Sequence, residues 1–223
     1  MADYIDRQIL CQAYVHVEPS HFSAKDAETL RETIKEFIQK RGEFFIGSGI
    51  ETEIVFEDGS LKIKASIYAK VTIAITNAIV LYGGFRAGID YLAADGKGLS
   101  EATVLECLFQ TQCHHNETIH TEARIGVIGQ IKRVNNSIDR IRHDLPSVDT
   151  ELSAKRIDRL AEEIRRLRSN IKDQQDIDFV SEKIMAEVDA LLPKKAPKNF
   201  LSKESIRRYE LSRQNIADSL QGL

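Results

Sequence analysis

Between Val71 and Phe85 the chain carries 15 residues without a charged side chain, VTIAITNAIVLYGGF. Extended back to Ala65, the run grows to 21 residues interrupted only by Lys70. A bilayer-crossing helix needs about 20 mainly apolar residues, whereas about 10–14 more often make a buried helix or a re-entrant segment. The run falls between those limits. In a membrane, Lys70 would snorkel to one interface and Arg86 would anchor the other. Thr72, Thr76 and Asn77 would turn towards a helix neighbour or a wetted pore, leaving Ile75 and Ile79 towards lipid. In a soluble fold the same residues make a central core element. Their many β-branched side chains leave both helix and strand open.

The segments before the run read as a small head. Ile9 to Val17 is rich in strand-forming residues. Ser23 offers an N-cap to a helix over 24–41, with Leu30, Ile34, Phe37 and Ile38 at helical spacing and Gly42 as its stop. From Ile50 to Glu57, apolar and charged residues alternate. Asp58-Gly59 is a tight-turn dipeptide, and Leu61, Ile63, Ala65 and Ile67 alternate again. The fold class expected is α+β: a β-α-β-β head over residues 1–70, then the hydrophobic segment with amphipathic helices over 71–115. Within that second stretch Asp95-Gly96-Lys97-Gly98 reads as a loop, and Ser100 as the cap of a short helix.

Beyond residue 115 the pattern is helical. Val127, Ile131, Val134, Ile138, Ile141 and Leu145 recur at 4-3-4-3-4 spacing, and Ile157, Leu160, Ile164, Leu167 and Ile171 at 3-4-3-4. Both are a/d rows of the coiled-coil kind, separated near Pro146 and Ser147. A third helix carries Ile177, Val180, Ile184, Val188 and Leu191, completing a hairpin or bundle over 116–192. A basic linker and a last helix capped by Ser202 fill 193–223. Rows this narrow invite a partner, so a homo-oligomer is expected.

Composition sets the function classes. With 42% apolar and 29% charged residues the chain is of ordinary folded type. A net charge of −3 does not fit a dedicated nucleic-acid binder, yet residues 194–213 hold seven basic against two acidic side chains. Lys194, Lys195, Arg207 and Arg208 are the candidates for holding phosphates, with a solvated helix face as the plainer reading. Cys107, Cys113, His114, His115 and His120 are zinc-type donors, but C-x5-C-H-H-x4-H matches no common zinc spacing and no metal is assigned. No nucleophile elbow, phosphate loop or metalloprotease motif occurs, so no catalytic residue and no cofactor is expected. Three cysteines without framework spacing fit free thiols. The first residues show no basic-then-apolar leader, so the chain is expected on the cytoplasmic side.

The stretch Glu57-Asp58-Gly59-Ser60-Leu61-Lys62, the apolar run, and then Tyr82-Gly83-Gly84-Phe85-Arg86-Ala87-Gly88-Ile89-Asp90 resembles a known pattern. It is similar to the pore-forming membrane effectors of Hailong-type anti-phage systems, which are paired with a nucleotidyltransferase. The likeness covers residues 50–92, and Lys70 departs from it by interrupting the run. It implies an effector of bacterial antiviral defence that forms an ion channel at the inner membrane. A nucleotide oligomer from the partner enzyme would gate that channel. The other reading is a soluble homo-oligomeric scaffold whose apolar run is core.

Overall fold

The structure is a computed structural model, and it describes residues 8–19, 24–47, 49–57, 61–146, 150–198, 200 and 202–222. The Ser23 cap, the Asp58-Gly59 turn, Ser147 and the first residues of the chain lie outside the described residues. The fold is α+β, in two compact units, 1–129 and 130–223.

The first unit is built on a four-stranded antiparallel sheet of order β2-β3-β1-β4, with β1 Ile9–Val17, β2 Glu51–Glu57, β3 Leu61–Tyr68 and β4 Thr118–Ile125. The central strand β1 sets Ala13 opposite Ala65 on one side and Ala123 on the other. Alternate residues of a strand share a face. Ile9, Cys11, Ala13, Val15 and Val17 are all buried, as are Ile63, Ala65 and Ile67 of β3. Helix α1, Ala24–Phe45, adds Leu30, Ile34 and Ile38 to this core, and the 27-residue helix α3, Phe85–Thr111, lies against β1, β4 and α1.

Several boundaries move from the sequence reading, each for a tertiary reason. Helix α1 passes through Gly42 because a Cβ there would meet the Ile50 side chain, so the glycine serves close contact and not a stop. Residues 95–98 are not a loop but the middle of α3, where Gly96 sits against Cys11 of β1. Ser100 is therefore no cap. It is fully buried inside α3, with its hydroxyl 3.4 Å from the Arg124 carbonyl. Strand β4 interrupts a region expected to be wholly helical. Its only large apolar residues are Ile119 and Ile125, and Ile119 is 52% exposed, so the alternation is carried by Thr121 and Ala123 and barely registers.

The second unit is helical. Helices α4 Val127–Asp144, α5 Thr150–Ser169, α6 Gln174–Leu191 and α7 Lys203–Gln221 follow in order. From residue 130 on, both a/d rows are buried, Ile131 to Leu145 and Ile157 to Ile171 alike. One chain is thus enough to cover them, and they leave no open seam for a partner. On α6 the inward residue at the end is Leu192, fully buried, and not Leu191. Helix α7 is held on α5 by Arg208 to Asp158 at 2.6 Å and by Arg165 to Ser219 at 3.2 Å, and on the segment after α6 by Tyr209, which donates to the Pro193 carbonyl at 2.6 Å.

Candidate functional site

The apolar run folds as helix α2, Val71–Tyr82, followed by a corner and α3. Lys70 is its exposed N-cap residue and makes no side-chain cap bond. Gly83 ends the helix at φ 78°, in the left-handed region that glycine enters without steric cost, and donates its N–H to the Ile79 carbonyl at 2.9 Å. With Gly84 it turns the chain by 110° into α3, so Phe85 and Arg86 open a new helix and do not extend the old one. The resembling motif from Tyr82 to Arg86 is thus a helix-to-helix corner. Its inner side is tight, because a Cβ on Gly88 would lie 3.1 Å from the backbone of Ala78.

Twelve residues at about 1.5 Å each make α2 roughly 18 Å long, against a hydrocarbon core of about 30 Å. Among the described residues no single helix is long and apolar enough to cross a membrane; α2 and α3 together pass by length and composition, but bent. Val71, Ala74, Ile75 and Ala78 face inward, with Ile75 fully buried. That corrects the assignment of Ile75 as a lipid-facing position. Thr72 is half-buried, while Thr76 and Asn77 share the outward face with Ile73 and Val80.

That outward face borders a groove of about 390 Å³ between the end of α1, α2 and α3. Ala74, Ala78 and Leu92 form its apolar floor, and Phe44, Val80 and Leu81 stand on its walls at 81%, 78% and 73% exposure. Tyr82 stacks on Tyr91 with ring centroids 4.2 Å apart, and its hydroxyl lies 3.4 Å from the Asp95 carboxylate. Partial burial raises the Asp95 carboxyl above its usual range, against the lowering effect of the Tyr82 hydroxyl; the negative charge of Asp95 in turn pushes the Tyr82 phenol up. Glu43 and Asp95 are the ionisable carboxylates of the lining, and no lysine or arginine joins them. Sequence reasoning singled out Tyr82 and Asn77 but missed Phe44, Leu81 and Asp95. The adjacent pair Phe44-Phe45 at the end of an otherwise charged helix was the one available signal, and of the two Phe44 is exposed and Phe45 half-buried.

The basic candidates do not gather. Lys194 lies 3.6 Å from Asp189, Lys195 is exposed on the linker, and Arg208 is paired with Asp158. Arg207 and Arg208 share a groove of about 650 Å³ with Lys155, but Glu151 and Glu204 line it too. The cysteines and histidines also stay apart. Cys107 is wholly buried and Cys113 half-buried, while His120 on β4 rests 5.9 Å from the Tyr14 ring. Burial pushes the Cys11 and Cys107 thiols up to about 12, which withholds the thiolate a nucleophile or metal ligand requires. The His114 backbone N–H donates to Glu117 at 2.8 Å. Among the described residues no three His, Cys, Asp or Glu side chains converge as a metal site. Comparison with known proteins finds no matching family model, no matching curated relative and no matching solved structure.

Proposed function

We propose that the chain is a non-catalytic effector that attaches to a lipid bilayer through the uncharged ridge of α2. One observation carries this reading: three of the four most exposed large apolar side chains, Phe44, Val80 and Leu81, stand together on the walls of one groove. Clustered apolar exposure of this kind marks a contact surface, whereas single exposed residues need no explanation. The ridge continues into Tyr82 and Tyr91, aromatic residues suited to the headgroup boundary. The attachment is interfacial: α2 keeps its buried face on the head and lowers its other face into the bilayer surface. A role in antiviral defence rests only on the resemblance of residues 50–92. A pore would require α2 and α3 to leave the head and straighten.

Flotation with phosphatidylethanolamine/phosphatidylglycerol vesicles tests the reading. The wild type floats with the vesicles, and Leu81→Asp with Val80→Asp stays in the soluble fraction while keeping its native circular dichroism. Because no cation lines the groove, added salt leaves the binding unchanged. A wild type that never floats overturns the proposal. Release of an entrapped dye would replace surface attachment by a pore.

A further inference from the structure

Two helix ends and two carboxylates make the groove beside α2 negative. Helix α1 ends on it at Phe45 and helix α2 at Tyr82, and neither carries a basic residue in its last turn. A helix C-terminus holds roughly half a negative elementary charge, which a nearby cation offsets. The carboxylates of Glu43 and Asp95 belong to the same lining, and among the described residues no lysine or arginine lines it. The cations closest in sequence are engaged elsewhere. Arg41 lies over the Phe37 ring at 5.0 Å, Lys40 pairs with Glu36, and Lys97 pairs with Glu101 at 3.5 Å.

Asp95 is the half-buried member of this set, and the Tyr82 hydroxyl at 3.4 Å is a neutral and distant donor for it. A carboxylate drawn partly out of water without a counter-ion resists its charge, and its carboxyl is raised accordingly. The rest of the lining is apolar or aromatic: Ala74, Ala78 and Leu92 below, Phe44 and Tyr82 beside. A bare metal ion is poorly served there, since hard cations collect about six or more oxygen ligands. An organic ammonium is well served. Its N–H groups meet the carboxylates, its charge meets the ring faces and helix ends, and its carbon body meets the floor and walls.

We infer that the groove takes the ammonium head of an ethanolamine phospholipid, with Asp95 and Glu43 accepting its N–H donors. This rests on the reading of α2 as an interfacial attachment and gives that attachment a lipid preference. Phe44, Val80 and Leu81 stand exposed at the groove's walls, where the apolar part of the same bilayer covers them. A primary ammonium has three donors, and an ionised carboxylate only accepts. A choline head carries methyl groups in place of those hydrogens and donates nothing. A glycerol head brings no cation at all, and its lipid's phosphate meets groups of its own sign. Because the ethanolamine lipid has no net charge, salt has no long-range attraction to screen.

The test is flotation with two kinds of vesicle that hold the same share of phosphatidylglycerol. The remainder is phosphatidylethanolamine in one and phosphatidylcholine in the other. The wild type binds the ethanolamine vesicles about tenfold more tightly, the scale of one hydrogen bond to a charged group. Asp95→Asn with Glu43→Gln brings that affinity down to the choline value and keeps the native circular dichroism. Leu81→Asp with Val80→Asp lowers both affinities alike, because it removes attachment and not choice. Equal flotation of the wild type on both vesicles overturns the inference and leaves the attachment standing. Flotation on neither removes the attachment and the inference with it. A preference that survives Asp95→Asn with Glu43→Gln also overturns the inference, since the apolar ridge alone would then be selecting the lipid.

Discussion

The Tyr82 hydroxyl reaches the Asp95 carboxylate at 3.4 Å and so ties the last turn of α2 to the middle of α3 across the Gly83-Gly84 corner. Burial raises the Asp95 carboxyl, so the folded state holds that proton more tightly than the unfolded chain does. The sign follows from proton counting. This contribution to stability is fully present below the ordinary carboxylate pKa and is lost as pH rises through the raised, folded value. Asp95→Asn therefore removes a decline in stability with rising pH that begins near the ordinary value of about 3.8. The same change lets the Tyr82 phenol fall back towards its ordinary pKa, since the charge of Asp95 is the first cause of its elevation. Denaturation followed across pH and tyrosinate absorbance read the two effects.

Two substitutions six positions apart on α2 should part company. Ile75 is fully buried, so Ile75→Asp leaves an uncompensated carboxylate in the head and costs about 3–5 kcal/mol. Leu81 is 73% exposed, and Leu81→Asp changes stability by no more than about 0.5 kcal/mol. Urea denaturation of both variants checks the pair. Loss of fold in Leu81→Asp would mean that its side chain is not the free wall described here.

What could be read from the sequence follows how local the cause is. The a/d rows of α4 and α5 announce their buried faces, because burial there obeys a period that every residue repeats. Strands β2 and β3 were legible for the same reason. Strand β4 was not, since it inherits its place from pairing with β1 and carries Thr121 and Ala123 where a period needs larger residues. Gly42 and Gly96 read as a stop and a loop only because a sequence does not show the Ile50 side chain or the β1 strand that lies beside them. The ridge was half visible. Val80, Leu81 and Tyr82 lie in the charge-free run, while Phe44 and Asp95 join them only through the fold.

Gly126 joins β4 to α4, and its N–H donates to the Leu10 carbonyl at 2.8 Å. A Cβ there would fall inside the van der Waals shell of the Ile9 carbonyl, which belongs to the central strand and has no room to yield. Gly126→Ala should cost about 3 kcal/mol, at the upper end of overpacking. The outcome is a lowered midpoint in thermal and urea unfolding. A neutral Gly126→Ala would show that β1 shifts freely at this point.

Arg213 and Arg208 separate a structural cation from a candidate phosphate ligand. The Arg213 side chain is 8% exposed and pairs with Asp189 at 2.6 Å, linking α7 to α6, while Arg208 is 55% exposed and pairs with Asp158 on α5. Removing Arg213 should cost about 2 kcal/mol, the scale of a charged hydrogen bond lost from a largely enclosed site. Arg208→Ala should cost less than about 1 kcal/mol, as exposed pairs do. The two also differ in what they predict for a nucleotide oligomer. Each phosphate contact on a single strand contributes about 0.7 to the slope of log affinity against log salt. Arg207 and Arg208 share their groove with Glu151 and Glu204, so the expected binding of a short oligonucleotide is weak and its salt slope shallow. A fluorescence anisotropy titration at low and moderate salt decides. A steep slope in the wild type that Arg207→Ala and Arg208→Ala each flatten, with α7 still docked, would make this groove a nucleotide site. An absent or shallow slope leaves Arg208 with the single task of holding α7 against α5.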